Sequence, residues 1–361
     1  MRFAVSIVPI MLSAIVLSAT TVFGDVPCGG SFNNFLKKIK KDAISQGHSA
    51  ASVDRFLANA QHDPAVIRAD NAQGNFQMSF LEFSRRVISQ NRMDNGRKFA
   101  QKYSAVFDRI ERDYGVSRGV LLAFWALETD FGQVQGDFNT LNSLLTLGHD
   151  CRRPELFQPQ IFAALSLFER GNFDPENTKG AWAGEIGMVQ MLPKDILNNG
   201  VDGDGDGDVD LQTSPADALT TGANMLRELG WRANQPWLQE ITLPRDLDWA
   251  ATGLTTTMSV SQWARAGVKA RTGSLGAGNL QASVLLPMGR KGPAFLAYPN
   301  FSTYFEWNKS FVYVTSAAYF ANRLQGAPVY DAGAPDPTLT NDQMMSLQRK
   351  LKRHGHDVGR V

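Results

Sequence analysis

The sequence predicts an α+β protein that is mainly helical. Within residues 31–128, apolar residues recur at helical spacing, as in FNNFLKKIKKDAISQG and GRKFAQKYSAVFDRIERDYG. Short β-prone pieces broken by Gly and Pro follow within residues 241–316, and the chain then returns to a helical pattern in FVYVTSAAYFANRL. The 32 glycines and 16 prolines indicate many turns, which argues against a simple bundle of long helices.

The small β-containing lobe is predicted at about residues 241–305. Its expected strands lie in SVLLP, AFLAYP and STYFEW. Residues 327–340, rich in Pro and Ala, are typical of a linker, and residues 341–361 begin as an amphipathic helix that stops abruptly. The catalytic region is therefore expected to span residues 25–326.

The first segment, MRFAVSIVPIMLSAIVLSATTVFG, has one basic residue followed by an apolar stretch and small residues. Serines and a proline interrupt the apolar stretch, which weakens the case for a membrane span. We interpret residues 1–24 as a secretory signal peptide and expect a periplasmic protein. The alternative is an uncleaved membrane anchor.

The chain contains two cysteines, Cys28 and Cys151. In an exported protein an isolated pair favours one disulfide, with two unpaired thiols as the alternative. The formal net charge of +1 gives no sign of nucleic-acid binding.

Glu128 is the strongest catalytic candidate from the residues alone. It ends the apolar run VLLAFWAL, for which Ser117 is a good helix N-cap. A carboxyl group among Leu, Trp and Phe side chains should have a raised pKa and act as a general acid near neutrality. The alternative is a structural carboxylate that caps a turn or pairs with an Arg.

A Gly-rich stretch, GAWAGEIGMVQMLP, places Gln190 between apolar neighbours. Such a turn lets an extended ligand approach the backbone closely. Glu185 in this stretch is a second acid that could lie near Glu128, or it is a surface carboxylate.

The stretch VDGDGDGDVDL alternates Asp with Gly in the manner of a calcium loop. Positions 1, 3, 5 and 7 of an EF-hand-like loop correspond to Asp202, Asp204, Asp206 and Asp208. Position 12 is Thr213 in place of the usual Glu, and Asp217 is placed to supply that carboxylate. The spacing favours structural calcium over a solvated acidic turn, and no organic cofactor is expected.

Six motifs in order resemble the MltB-like family of lytic murein transglycosylases, over about residues 28–325. They are YGVSRGVLLAFWALETDFG, LTLGHDCRRPELF, GAWAGEIGMVQMLP, the Asp-rich loop followed by SPADAL, ELGW, and NFSTYFEWNKSFVYVTSAAYFANRL. The resemblance implies a lysozyme-like core and cleavage of the β-1,4 bond between N-acetylmuramic acid and N-acetylglucosamine in peptidoglycan. It implies that Glu128 acts first as acid and then as base, leaving a 1,6-anhydro end without adding water.

The resemblance also implies roles for individual residues. Gln190, Asn308 and Tyr313 match substrate-contacting positions, while Trp307 and Phe83 stand where the family usually has Tyr. It matches the same five aspartates to a calcium site and the two cysteines to a frequent pair. The tail resembles the start of a truncated peptidoglycan-binding module, to which no role is assigned.

Three functions are therefore compared: a lytic transglycosylase, a hydrolytic muramidase, and a non-catalytic glycan-binding cell-wall protein. The expected partners are peptidoglycan glycan strands, with cell-wall synthesis proteins as further candidates, and the protein is expected to be a monomer.

Overall fold

The computed structural model describes residues 26–72 and 78–359, so the predicted signal peptide lies outside the described residues. Six helices form the N-terminal region: Phe32–Ser45 (α1), Ala50–Leu57 (α2), Pro64–Asn71 (α3), Phe80–Val87 (α4), Gln90–Lys102 (α5) and Ser104–Tyr114 (α6). Five more form the central region: Arg118–Thr129 (α7), Thr140–His149 (α8), Pro154–Arg170 (α9), Pro193–Asn199 (α10) and Pro215–Glu228 (α11). The last four are Val260–Arg265 (α12), Pro299–Trp307 (α13), Phe311–Leu324 (α14) and Asn341–Arg353 (α15).

Two antiparallel sheets complete the fold. Phe138–Asn139 (β1) pairs with Lys179–Gly180 (β2). The larger sheet has five strands: Leu238–Thr242 (β3), Met258–Ser259 (β4), Lys269–Ala270 (β5), Gln281–Leu285 (β6) and Ala294–Ala297 (β7). Their order is β4-β6-β7-β3-β5, with Ile241 opposite Ala294 and Val284 opposite Leu296. The predicted mainly helical fold with a small sheet is confirmed.

One predicted strand is wrong. STYFEW lies in α13 and not in the sheet, because Pro299 occupies the first helical turn, where its fixed φ and missing N–H favour helix. Phe301 and Tyr304, three residues apart, are both buried on the same face of that helix.

Helices α7 and α14 form the centre of the main core. Every side chain of α7 from Val120 to Ala126 is at most 2% exposed. The two helices run antiparallel, since Tyr313 at the start of α14 contacts Glu128 at the end of α7, and Gln325 just after α14 contacts Ser117 just before α7. A Cβ on Gly119 would lie 2.8 Å from the carbonyl oxygen of Ala321, so glycine permits this close crossing.

The sheet has a smaller core of its own, in which Trp263 of α12 packs beneath β6 and donates its indole N–H to the Ala282 carbonyl at 2.8 Å. Residues 327–340 contain no helix or strand, but Tyr330 is buried and its hydroxyl lies 2.9 Å from Ser84 Oγ. That this segment acts as a linker stays a prediction.

The disulfide between Cys28 and Cys151 is confirmed and joins the N-terminal segment to the loop between α8 and α9. Within residues 26–72 and 78–359, no helix is long and apolar enough to cross a membrane.

Candidate active site

Glu128 lies in the last turn of α7, where the helix leaves the apolar core. Ser117 caps the start of this helix by accepting the Gly119 N–H at 3.3 Å, as expected from the sequence. The helix ends at Asp130 and Phe131, which both take left-handed backbone angles (φ 50° and 61°). Asp130 does not join the acid, since its carboxylate accepts a hydrogen bond from Arg92 Nε at 3.0 Å.

Two donors from the α13–α14 region converge on a single oxygen of Glu128. The Tyr313 hydroxyl donates to Oε1 at 2.5 Å, and the Trp307 indole Nε1 donates to the same atom at 3.1 Å. Because a protonated carboxyl group bears its proton on one oxygen only, two donors on Oε1 favour a proton on Oε2. Oε2 is therefore the atom from which Glu128 can give up a proton.

Burial raises the pKa of Glu128 to about 7. This effect outweighs the hydrogen bonds from Tyr313 and Trp307, which lower the pKa, and the negative charge of Glu185 raises it further. The side chain is half-buried, so the protein surrounds it closely while part of it stays open to solvent. A carboxyl group with a pKa near neutrality can serve both as a general acid and as a general base.

The two donors are held by aromatic packing. Trp307 stacks on Phe124 of α7 with ring centroids 4.3 Å apart, and the rings of Phe83 and Tyr313 lie 6.4 Å apart. Burial raises the pKa of the Tyr313 hydroxyl well above its ordinary value, and the charge of Glu128 adds to this, so Tyr313 remains a donor at neutral pH.

The Gly-rich stretch packs against the end of α7. The Thr129 hydroxyl, which is buried, donates to the carbonyl of Met188 at 2.6 Å. Gln190 takes a left-handed backbone angle (φ 51°), and its Nε2 donates to the carbonyls of Gln135 and Gly187 at 3.1 and 2.9 Å. With Nε2 so used, Oε1 is the part of the Gln190 amide that can serve a ligand.

Glu185 is a second carboxyl group close enough for its charge to raise the pKa of Glu128. Burial raises the pKa of Glu185 as well, and among the described atoms its buried Oε2 has no hydrogen-bond partner. An unpartnered buried oxygen is costly for an ionised group, which agrees with the direction of this pKa shift.

Asn308 lies at the junction of α13 and α14, next to Trp307 in the chain. Its Oδ1 accepts the Ser310 N–H at 2.8 Å, and this turn sets the direction in which α14 begins. The structure thus brings Glu128, Tyr313, Trp307, Phe83 and Glu185 together, with Gln190 and Asn308 on the loops that border them.

The Asp-rich loop forms a separate cluster between α10 and α11. The carboxylates of Asp202, Asp204 and Asp217 each offer an oxygen within 4.8 Å of the others. Asp202 Oδ2 accepts the Gly207 N–H at 2.9 Å, and Gly207 takes a left-handed φ of 102°, which fits the sharp turn that a calcium loop needs at its sixth position. Asp206 and Asp208 lie outside this cluster of three.

Asp217 holds the loop to α11. It is 1% exposed, and its two oxygens accept the N–H groups of Gly203 and Asp210 at 2.7 and 2.8 Å. The carboxylate of Asp217 thus lies against the Asp-rich loop, near Asp202 and Asp204. This position agrees with the prediction that Asp217 replaces the usual calcium ligand at position 12.

Residues 31–322 match the model of the Transglycosylase SLT domain family. The chain belongs to this family. SltB3 from Pseudomonas aeruginosa, solved in complex with NAG-NAM-pentapeptide, is similar at a TM-score of 0.85 and 33% identity, covering 92% of this chain and 90% of SltB3. Slt35 from Escherichia coli, solved in complex with calcium, has a TM-score of 0.70 and 27% identity, covering 83% of this chain and 96% of Slt35. Membrane-bound lytic murein transglycosylase B of Escherichia coli K12 is 28% identical over 285 residues, 77% of this chain and 75% of that protein.

These matches confirm the expected family, the fold class and the enzyme class, a lytic transglycosylase. Two contacts of the transglycosylase could not be foreseen from its sequence. Arg92 lies 38 residues before its partner Asp130, and Thr129 lies 59 residues before its partner Met188. Neither pair has a local spacing signal, because helix periodicity links residues three or four apart.

Proposed function

We propose that this transglycosylase cleaves the β-1,4 bond between N-acetylmuramic acid and N-acetylglucosamine in peptidoglycan, without adding water. The observation that carries the proposal is the setting of Glu128: a carboxyl group with a pKa of about 7, held by two donors on one oxygen. Glu128 donates the proton on Oε2 to the glycosidic oxygen as the bond to C1 of the muramoyl residue breaks. The bonding electrons leave with the N-acetylglucosamine oxygen.

The second half of the reaction uses the same carboxylate as a base. Glu128 accepts the proton of the muramoyl 6-hydroxyl while that oxygen attacks C1, which closes the 1,6-anhydro ring and restores the acid. The acetamido group of the substrate is proposed to stabilise the positive charge between the two steps. Tyr313 and Trp307 keep Oε1 oriented throughout, because both remain donors in either protonation state of Glu128.

The other site residues are proposed to contact the glycan. Phe83 offers an aromatic surface beside Tyr313. Gln190 lies in the Gly-rich stretch that packs against the end of α7, and Asn308 directly follows Trp307 in the chain. Glu185 is proposed to hydrogen-bond the sugar near the cleavage point.

The second candidate is a hydrolytic muramidase, which the presence of Glu185 near Glu128 favours, because most glycosidases use two carboxyl groups. Against it, burial raises the pKa of Glu185, which makes it a poor base for activating water below that pKa.

Mass spectrometry of purified sacculi incubated with the protein tests the proposal. The wild type is expected to release fragments with 1,6-anhydro ends, and Glu128→Gln to release them at least about 10²-fold more slowly. Glu155→Gln, the same change at an exposed position on α9, is expected to behave as wild type. New reducing ends would instead establish the muramidase. Equal release by wild type and Glu128→Gln, or no release by either, would overturn the assignment of Glu128 and leave the glycan-binding alternative.

We further propose that Asp202, Asp204 and Asp217 hold a calcium ion that stabilises the fold, with Asp206 and Asp208 as additional ligands. The convergence of three carboxylates and the calcium complex of Slt35 support this. The cluster belongs to a separate loop, so calcium is assigned no step in the reaction.

An exported, periplasmic protein is proposed on the basis of the disulfide, which persists in oxidising compartments. That the protein is a monomer stays a prediction. Its proposed partners are glycan strands, and cell-wall synthesis proteins are further candidates.

A further inference from the structure

Thr129, which directly follows Glu128, joins the end of α7 to the Gly-rich stretch. It is 1% exposed, so its hydroxyl is not itself a substrate contact. The hydroxyl donates to the Met188 carbonyl at 2.6 Å, and its oxygen accepts the Gly132 N–H at 2.9 Å. The Trp125 carbonyl, at 3.3 Å, is the more distant of its two possible acceptors. One buried hydroxyl thus bonds the segment after α7 and the Gly-rich stretch at once.

Both segments that Thr129 joins hold the backbone in conformations that cost energy. Asp130 and Phe131 follow α7 with φ values of 50° and 61°, and Gln190 in the Gly-rich stretch has a φ of 51°. Within residues 26–72 and 78–359, the only other positive φ outside glycine is that of Asn234. Such conformations persist where surrounding contacts hold them, and they concentrate at functional sites. Their concentration around Thr129 indicates that the shape of this junction serves the site.

The segment after α7 is anchored by its own contacts. The centroid of the Phe131 ring lies 5.1 Å from that of Phe99 on α5 and 5.6 Å from that of Trp125 on α7. Asp130 accepts a hydrogen bond from Arg92 Nε at 3.0 Å. These contacts do not involve the Gly-rich stretch, so the segment is a fixed surface against which that stretch is positioned.

The Gly-rich stretch needs Thr129 for its position beside this segment, but not for its attachment to the protein. A Cβ on Gly132 would lie 3.2 Å from Met188 Cγ, so the two segments are in close contact. The Met188 N–H donates to the Leu211 carbonyl at 2.8 Å, which ties the stretch to the Asp-rich loop as well. Removal of the Thr129 hydroxyl would leave the Met188 carbonyl unpaired in a buried contact. Because the Leu211 bond remains, we expect the stretch to be displaced and the protein to stay folded.

We propose that Thr129 is a positioning residue, which sets Gln190 at the place relative to Glu128 that glycan binding requires. Gln190 lies two residues after Met188, and its Nε2 donates to the Gln135 carbonyl at 3.1 Å, so it follows the same junction. A misplacement of about 1 Å in an enzyme site can cost about 10²-fold. The inference rests on the proposed function for the contact between Gln190 and the glycan.

Calorimetry with a soluble peptidoglycan tetrasaccharide, in the Glu128→Gln background, tests the proposal through binding alone. Thr129→Val keeps the shape of the side chain without its hydroxyl, and it should raise Kd at least about tenfold. Thr129→Ser keeps the hydroxyl and should stay within a few-fold of the background protein. Thr146→Val is the matched control, because Thr146 is also buried and its hydroxyl joins α8 to the start of α3 by accepting the Asp63 N–H at 2.8 Å. This control should lower the melting temperature and leave Kd unchanged.

Hydrogen exchange tests the same coupling with the Thr129 hydroxyl in place. If the opened junction binds glycan about tenfold more weakly, saturating glycan must make opening about tenfold rarer, because the coupling is reciprocal. The Gly132 N–H, which donates to Thr129, should then exchange about tenfold more slowly with the tetrasaccharide bound. The Asp63 N–H, which donates to Thr146, should not change. This measurement decides the matter even if Thr129→Val does not fold.

The positioning role is overturned if Thr129→Val binds as tightly as the background protein or if Thr129→Ser binds as weakly as Thr129→Val. It is also overturned if Thr146→Val weakens binding equally, or if the tetrasaccharide leaves exchange of the Gly132 N–H unchanged. Products with reducing ends would reject the transglycosylase reaction and leave the positioning role intact. Either proposal can therefore fail alone.

Discussion

Glu128 and Asp202 are carboxyl groups that each accept two hydrogen bonds, yet their pKa values move in opposite directions. Burial raises the pKa of Glu128 to about 7 and outweighs its bonds from Tyr313 and Trp307. The exposed loop leaves Asp202 solvated, so backbone N–H groups of Gly207 and Gly205 lower its pKa. The difference teaches that the pKa of a carboxyl group depends on whether its hydrogen bonds outweigh the cost of burying its charge. The first region is thereby suited to proton transfer, and the second to a cation.

The largest difference between the two regions is expected when each carboxylate is replaced by an amide and the activities of the two variants are compared. Glu128→Gln should lower kcat/KM about 10²–10⁴-fold, because the amide cannot transfer the proton. Its melting temperature above pH 7 should equal or exceed that of wild type, since the raised pKa means that ionised Glu128 disfavours the folded state at such pH. Asp202→Asn should keep kcat/KM within a few-fold of wild type in saturating calcium. Activity and differential scanning calorimetry check both, and a catalytic loss as large for Asp202→Asn would refute the separation.

Removal of calcium should affect stability and leave the chemistry unchanged. Asp217→Asn is expected to lower the free energy of unfolding by about 1–3 kcal/mol, because the buried carboxylate loses acceptor capacity toward Gly203 and Asp210. Chelation of wild type should lower its melting temperature, and Asp217→Asn should respond less. Asp246→Asn, the same change at an exposed position outside the Asp-rich loop, is the matched control and should change stability less. An unchanged wild-type melting curve after chelation, with no metal by elemental analysis, would reject the calcium site.

The alkaline limb of the pH–rate profile should move when either donor to Glu128 is removed. Activity that requires protonated Glu128 falls as pH rises through its pKa of about 7. Tyr313→Phe and Trp307→Phe each remove a bond that lowers this pKa, so the limb should move to higher pH, and further for Tyr313→Phe, whose bond has the larger effect. The profile of kcat/KM measures this. A limb that moves to lower pH in both variants would contradict the assignment of Glu128 as the acid.

The smallest effect is expected for Glu185→Gln, and it should have the opposite sign. The negative charge of Glu185 raises the pKa of Glu128, so the neutral amide should move the alkaline limb to lower pH. The 1,6-anhydro products should remain. Products with reducing ends in wild type that vanish in Glu185→Gln would instead identify Glu185 as the base of a hydrolase.

Helix α7 and its acid could be predicted because the information is local. Ser117 caps the helix, apolar residues fill it, and Glu128 follows directly, so the apolar setting of the acid is visible in one short stretch. The cysteine pair could be predicted for a different reason, since a chain with two cysteines has only one possible pairing. STYFEW was misassigned because aromatic and β-branched residues favour strands weakly, while Pro299 and the packing of Phe301 and Tyr304 favour a helix.

The sequence by itself determined helix α7, its Ser117 cap, the acidic loop and the residue able to act as acid, because each depends on neighbours in the chain. The tertiary structure alone decided how that acid is held: Trp307 and Tyr313 reach Glu128 across 179 and 185 residues. It also decided that Asn300 forms hydrogen bonds with the backbone of Arg232 and Gln235. The Tyr313 contact arises from the antiparallel packing of α7 and α14, and no spacing in the chain encodes which side chains meet when two helices cross.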